Sequence, residues 1–452
     1  MRPAAVLALG TLLSCLACSP QRPDVVLVSI DSLRADHLGA YGYPQPTSPV
    51  FDGLADEGVL FENAVSTTSW TLPAHAALFT GLYDSAHGVI QDRFRLASNR
   101  VTLAEAMRDA GYQTAGFYGG PYLSPGFGLA QGFDVWQDCQ TPLAQSAEGE
   151  KRHRVSHEDV TGPRTLDAVS RWLERTDERP FFLFVHLWDV HYDYQAPPRY
   201  LALFDDEPYD GPGEGAGFES SPHLHAGMPD RDLRRLKALY DAEIRFTDDV
   251  LGGLLERLRD RGRDRPRLLV VTADHGEELF DHGRKGHQKS LYEEVVRIPL
   301  LFHGVDLTPR RVDDVVSLVD VMPTLLALAG APSVAGAGRD PSPLLRGATL
   351  PPAPVLMELH ATRRRQVALR GEDWVLISEP RERPKLYDLA EDPAQRVPRY
   401  GDDPRYAQAV RTLHARAAAA RRHLEQSPPD DAKSHVDRAT LERLEALGYV
   451  DP

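Results

Sequence analysis

The sequence predicts an α/β fold: a large, mostly parallel central sheet between helices, followed by a small antiparallel C-terminal subdomain. Three observations carry this prediction. Segments 24–30, 180–185, 267–272 and 298–302 are short, nearly unbroken apolar runs rich in β-branched and aromatic residues, as in strands buried on both faces. Segments of helical period lie between them, the alternation that places helices on the faces of a sheet. Near the C-terminus, 367–378 breaks at Gly371 like a hairpin, and 385–389 supplies a further strand.

In chain order, the first apolar run ends at Asp31, where a strand delivers its next residue to the carboxyl edge of the sheet, the usual ligand side of open α/β folds. Segment 48–58 reads as a helix stopped by Gly58, and 59–61 as a short strand. The stretch Ser66 to Gly81 then places Thr71 two residues before Pro73 at the start of good helix formers, a hydroxyl at an anion-attracting helix N-terminus. Segment 101–110 is helical up to Gly111, and 112–117 resumes a strand. The polar stretch 140–162 reads as a surface excursion, followed by a helix over 163–176. The run 180–185 ends in a cluster containing His186, Asp189 and His191. Segment 204–231, rich in Gly, Pro and acids, reads as a loop or lid, and 233–259 as a long amphipathic helix. The run 267–272 ends at Asp274-His275-Gly276, and an aspartate-initiated helix begins near Asp320. Beyond the proline-rich turn near 343, helices are expected over 405–426 and 439–449. The chain thus divides into 1–18, 23–342, 343–400 and 401–452.

With 51 basic and 66 acidic residues the net charge is −15, which argues against a nucleic-acid binder. No P-loop or G-x-G-x-x-G motif occurs, so the common nucleotide-binding folds are excluded. Residues 1–18 have a charged start, a short apolar core and small residues, the pattern of a secretory signal. Cys15 and Cys18 each fit a bacterial lipoprotein processing site, so we expect export to the periplasm or outer membrane on an N-terminal lipid, or plain secretion. Cys139 is the one cysteine beyond that region, which excludes a disulfide framework and a cysteine zinc site.

Separate strand ends therefore supply Asp31, Asp274 and His275, and the helix start adds Thr71. Two carboxylates, an imidazole and a hydroxyl suit one hard or borderline divalent cation, beside which Thr71 could act as nucleophile. His75, His191 and His287 are candidates for proton transfer, and Lys285 and Lys289 for holding an anionic substrate.

Asp31 with the following Leu33-Arg34-Ala35-Asp36-His37, Thr71-Leu72-Pro73-Ala74-His75, Asp189-Val190-His191, Asp274-His275-Gly276 and Gly286-His287 resemble the sulfatase family of the alkaline-phosphatase superfamily. Leu386-Tyr387-Asp388-Leu389 is similar to that family's C-terminal subdomain. The resemblance covers about 23–393 and implies an alkaline-phosphatase-like sandwich, a bound divalent metal (calcium, manganese or zinc) and a sulfate, phosphate or phosphonate ester as substrate, small or linked to a glycan or lipid. The family's usual motif is Cys-x-Pro-x-Arg, whose cysteine becomes formylglycine. Here those positions are Thr71 and His75, and threonine cannot yield that aldehyde because its Cβ bears a methyl group. The pairing of Asp274 with His275 resembles phosphonate monoester hydrolases and phosphoglycerol transferases, which implies phosphoryl-type chemistry on the Thr71 hydroxyl. A transferase to a glycan or lipid alcohol and a non-catalytic binding protein are the alternative expectations.

Overall fold

The computed structural model describes residues 21–141, 160–212, 217–219, 221–260, 265–304, 306–336, 338–361, 365–426, 428 and 435–446. The expectations for Cys15, Cys18, most of 140–162 and the end of the C-terminal tail fall outside these residues.

Strand β1 (Asp24–Ile30) is buried along its whole length because both of its faces meet packed layers. After it come helix α1 (Pro49–Glu57), strand β2 (Val59–Val65) and helix α2 (Thr71–Thr80). Helix α3 (Leu103–Asp109) starts on a capping box between Thr102 and Glu105 and leads to β3 (Gln113–Tyr118) and β4 (Val135–Asp138). Helix α4 (Gly162–Leu173), strand β5 (Phe181–Leu187), the long helix α5 (Asp230–Asp260) and strand β6 (Arg267–Ala273) follow. A two-stranded flap, β7 (Glu278–Leu279) with β8 (Lys285–Gly286), precedes β9 (Arg297–Gly304), β10 (Arg310–Ser317) and helix α6 (Val321–Leu328).

The large sheet has the order β10-β2-β9-β6-β1-β5-β3-β4. Every neighbouring pair is parallel except the two made by β9. Strands β1, β5 and β6 lie at its centre, so Asp31, His186 and Asp274 emerge at adjacent places on one edge. The second sheet is an antiparallel meander of β11 (Val355–Leu359), β12 (Gln366–Arg370), β13 (Trp374–Ser378) and β14 (Lys385–Asp388). Helix α7 (Tyr406–Gln426) lays Ala409, Leu413, Ala417 and Ala420 on this meander and on Ala77 and Leu82 in one small core. Hence 343–400 and the helix beyond it share a core instead of forming separate units. Helix α8 (Arg438–Ala446) lies by the opposite edge of the large sheet, where Arg443 pairs with Asp138 of β4 at 2.6 Å.

Besides the two-residue flap strands β7 and β8, three strands had no counterpart in the sequence prediction. β4 is a half-buried edge strand, β10 carries Arg310, Arg311, Asp313 and Asp314, and β11 follows a run of prolines. Each lacks the continuous apolar signature that identifies the central strands.

Phe184, in the middle of β5, has no exposed surface and joins the sheet to helix α2. Its ring stacks on Trp136 at 5.8 Å and meets Phe79 and His75 edge-on at 4.9 and 5.9 Å. We expect Phe184→Ala to lower unfolding stability by about 3–5 kcal/mol in urea titration, since the cavity cannot close against three rigid rings.

Candidate active site

The parallel register β1–β6 pairs Ile30 with Ala273, so the next residues, Asp31 and Asp274, leave the sheet side by side. Ser32 turns the chain with a φ of 55°, the left-handed region that a Cβ disfavours by about 1–2 kcal/mol. In that conformation the Ser32 N–H donates to Asp274 Oδ1 at 3.2 Å and the Ser32 hydroxyl donates to Asp31 Oδ1 at 2.9 Å. The strain holds both carboxylates in one orientation.

His275 donates its Nδ1–H to Gly276 O at 2.8 Å, which leaves the Nε2 lone pair directed inward. That nitrogen lies 3.4 Å from Asp274 Oδ2, 3.8 Å from Asp31 Oδ1 and 3.4 Å from the Thr71 hydroxyl. The Thr71 hydroxyl is also 3.5 Å from Asp31 Oδ2. Thr71 is the first residue of α2, and the preceding Trp70 supplies no side-chain cap, so the helix presents free N–H groups to the same space.

Asp31, Asp274 and His275 form a group whose ligand atoms are mutually close, and all three are completely buried. Burial pushes the Asp31 carboxyl up to about 6 despite the nearby His275, and burial together with Asp31 raises Asp274. Two carboxylates are thus desolvated against one another, and among the described residues only histidines lie within ion-pair reach of them. Asp274 Oδ2 and both ring nitrogens of His186 are buried with no hydrogen-bond partner. Unpaired acceptors around two facing carboxylates are what a divalent cation would satisfy, so the donor set fits a metal.

His75, His186 and Asp274 make a second close group of ligand atoms, with His75 Nδ1 3.7 Å from Asp274 Oδ2. The chemistry of His75 disfavours it as a ligand. Its Nδ1–H donates to Thr71 O at 2.8 Å, and its Nε2 accepts from the Ser29 hydroxyl at 3.0 Å. Both nitrogens are therefore committed in a fully buried ring, and burial drives its pKa down to about 4. His75 holds α2 in place and has no nitrogen left for proton transfer to a substrate. His186 has free nitrogens, with Nε2 3.2 Å from Asp31 Oδ2, and is better placed than the sequence suggested.

His191 and His287 do converge on the site. The His287 ring lies 4.5 Å from that of His275 and 5.1 Å from that of His191, which stacks on Trp188 at 3.9 Å. Buried Glu277 accepts from His287 Nδ1 at 3.1 Å, a partner the sequence reading missed although it follows Asp274-His275-Gly276 directly. Asp189 anchors a helix: its carboxylate accepts from the Thr161 and Gly162 N–H groups at 2.6 and 2.8 Å at the start of α4. The two lysines face the loop over the site. Lys289 holds both oxygens of Glu219 at 2.8 and 2.9 Å, and Lys285 donates to Ser221 O at 2.8 Å. The structure thus ties both cations to residues of the 204–231 segment.

The family model described as Sulfatase matches residues 23–331, more than half of the chain. The ulvan-active sulfatase of Formosa agariphila is 27% identical over 359 residues, spanning 73% of this chain and 67% of its own. Among solved structures, a protein in complex with its substrate D-glucosamine-2-N,6-O-disulfate superposes with a TM-score of 0.72 at 20% identity, covering 91% of this chain and all of that one. The phosphonate monoester hydrolase of Agrobacterium radiobacter gives 0.70 at 22% identity, covering 89% of this chain and 96% of that one. The chain belongs to the sulfatase family and is an ester hydrolase of that type.

Proposed function

We propose that this chain hydrolyses sulfuric, phosphoric or phosphonic esters, with Thr71 as the nucleophile and one divalent cation held by Asp31, Asp274, His275 and Thr71. The observation that carries the reading is the Thr71 hydroxyl, 3.4 Å from His275 Nε2 and 3.5 Å from Asp31 Oδ2 at an uncapped helix start. When bound, the cation supplies positive charge that favours ionisation of the hydroxyl and offsets charge on the transferring group. An imidazole among oxygen ligands suits manganese or zinc better than calcium.

The residues of the chain account for the remaining steps. Thr71 Oγ1 bonds to sulfur or phosphorus while the ester C–O oxygen departs. The free N–H groups of α2 favour the anionic group there. His287, whose Nδ1 is fixed by Glu277 and whose ring lies 4.5 Å from that of His275, supplies the proton to the leaving oxygen. Water then attacks sulfur or phosphorus, releases the acid and restores the Thr71 hydroxyl. Attack at phosphorus resolves a threonine ester readily, and this favours phosphate or phosphonate esters among the candidate substrates. Substrates small or attached to a glycan or lipid both fit this chemistry.

Thr71→Ala should lower turnover of aryl sulfate, phosphodiester and phosphonate esters by about 1000-fold or more, while Thr71→Ser retains measurable activity. Full activity of the alanine variant on all three ester classes would sink the reading. Quenching during turnover and peptide mass analysis should find a covalent adduct on the Thr71 peptide: a sulfo group from a sulfate ester, a phosphonyl group from a phosphonate ester, or a phosphoryl group that keeps its second ester substituent from a phosphodiester.

Asp274→Asn should weaken binding of the catalytic cation by about 100-fold or more, read by titration calorimetry with manganese and zinc, because it removes one of two buried charges that the metal neutralises. Unchanged affinity would exclude Asp274 as a ligand.

We also propose export with lipid attachment at Cys15 or Cys18, supported by the charged start and small residues around them. Palmitate labelling of the full chain should vanish in one of Cys15→Ala and Cys18→Ala and persist in the other. Absence of label in the native chain would leave a plain secreted protein.

A further inference from the structure

We propose that the edge of the large sheet opposite the catalytic centre binds the phosphate of an anionic phospholipid headgroup, in a cavity lined by Arg22, Arg267 and Arg346. This contact seats the chain on a membrane with its catalytic edge turned toward solution. The cavity does not depend on the ester-hydrolase reading, whereas a membrane as the source of the phosphate rests on export with a lipid at Cys15 or Cys18.

The strand order makes this cavity. Parallel β1 and β6 begin side by side, with Asp24 opposite Arg267, and antiparallel β9 ends next to them, with Gly304 opposite Leu268. The segments that enter β1 and β6 and the one that leaves β9 therefore meet at one edge, where the end of α6 joins them. Together they enclose about 310 Å³. Strand β1 runs its 7 residues from this edge to Asp31, so about 20 Å or more separates the cavity from the catalytic carboxylates.

The lining combines cations with apolar side chains. Arg22, Arg267 and Arg346 stand against one carboxylate, that of Asp306, on a chain whose net charge is −15. The acceptors that fix two of these guanidinium groups are neutral: Arg22 Nη1 donates to Ala110 O, and Arg267 Nη2 donates to Leu258 O at 2.7 Å. A backbone carbonyl holds a guanidinium without cancelling its charge. Among the described residues neither Arg22 nor Arg346 has a carboxylate within ion-pair distance, and both are exposed. Leu268, Leu307, Leu328 and Ala329 supply the apolar part of the wall. Guanidinium groups pair bidentately with phosphate, and in a phospholipid that phosphate lies beside glycerol and acyl carbon, which the apolar wall can cover.

The position of the chain start commits the phosphate to a membrane. Gln21 and Arg22 line the cavity, three residues from Cys18 and six from Cys15. Extended chain of those lengths reaches about 10 Å and about 20 Å, so a lipid on either cysteine brings this edge to the headgroup layer. One lipid is a weak anchor by itself, and a basic patch next to it supplies the second signal. Because the catalytic carboxylates leave the other end of β1, the seated chain presents them to solution. Its substrates are then esters in the aqueous phase, in preference to lipid-linked esters of the same membrane.

The test is vesicle flotation of the full chain carrying Cys15→Ala and Cys18→Ala, so that no acyl chain contributes and the outcome is independent of lipid attachment. Vesicles are phosphatidylcholine alone, or equal parts phosphatidylcholine and phosphatidylglycerol. Residues 1–18 are common to every chain compared, so their own membrane affinity cancels. Tighter binding to the anionic vesicles is expected, weakened about 10-fold or more by Arg22→Glu with Arg346→Glu. Arg411→Glu with Arg438→Glu makes the same change of net charge on exposed positions of α7 and α8 and should keep the native preference. Arg346→Gln removes a guanidinium that holds no hydrogen bond within the fold, and about a 5-fold loss is expected even if the double reversal fails to fold. No preference for anionic vesicles in the parent chain, equal losses in the two double variants, or an unchanged Arg346→Gln would each overturn the site. Calorimetry with inorganic phosphate separates the two sources of the anion. Phosphate binding that Arg346→Gln weakens, without any vesicle preference, would overturn the membrane as the partner.

Discussion

The structure depends on a repulsion. Parallel pairing of β1 with β6 forces Asp31 and Asp274 into adjacent, fully buried positions, and no lysine or arginine is supplied to them among the described residues. Left alone, two such carboxylates would protonate or push the strand ends apart, since burying unpaired charge costs several kcal/mol. The chain instead tightens the arrangement. Ser32 accepts a left-handed backbone to hold both groups, and His275 is locked in the tautomer that turns a lone pair toward them. Fixing like charges in place is sensible only where a cation completes the group. The same organisation brings the Thr71 hydroxyl into the shared space.

The sequence displays this arrangement to different degrees. Central strands are legible because burial on two faces demands continuous apolar residues, and the polar residue that ends each run is conspicuous against them. That is why Asp31, Asp274 and His275 could be named in advance. His186 was harder to value, because it continues an apolar run and could equally be a satisfied core histidine. Only its unpartnered nitrogens, 3.2 Å from Asp31 for Nε2, separate the two cases. Glu277 was invisible for a related reason: its value lies in a contact with His287 made across the β7–β8 flap. Edge strands β4 and β10 escaped because an edge tolerates charge.

The lysines illustrate a limit of reading cations from sequence. Lys285 and Lys289 sit next to His287, so proximity to an anionic substrate was a fair expectation. In the fold, Glu219 neutralises Lys289 and a backbone carbonyl occupies Lys285, while the Lys285 ammonium lies 5.6 Å from the Phe218 ring. Their charge is spent on contacts with Glu219 and Ser221. A charge contributes to recognition only to the extent that its existing partner can be displaced.

His75 gives the clearest account of how this site departs from its family's pattern. Where that pattern carries an arginine, this chain has an imidazole whose burial drives its pKa down to about 4. Its two hydrogen bonds, to Thr71 O and from Ser29, fill the space with structure in place of charge. The loss of that cation falls together with the replacement of the aldehyde precursor by Thr71, and the two changes are chemically consistent. On the reading proposed above, a threonine hydroxyl needs its proton drawn off at the outset, which a cation held by Asp31 and Asp274 would promote. His75, bonded to Thr71 O and Ser29, holds the start of α2 beside Asp31, Asp274 and His275.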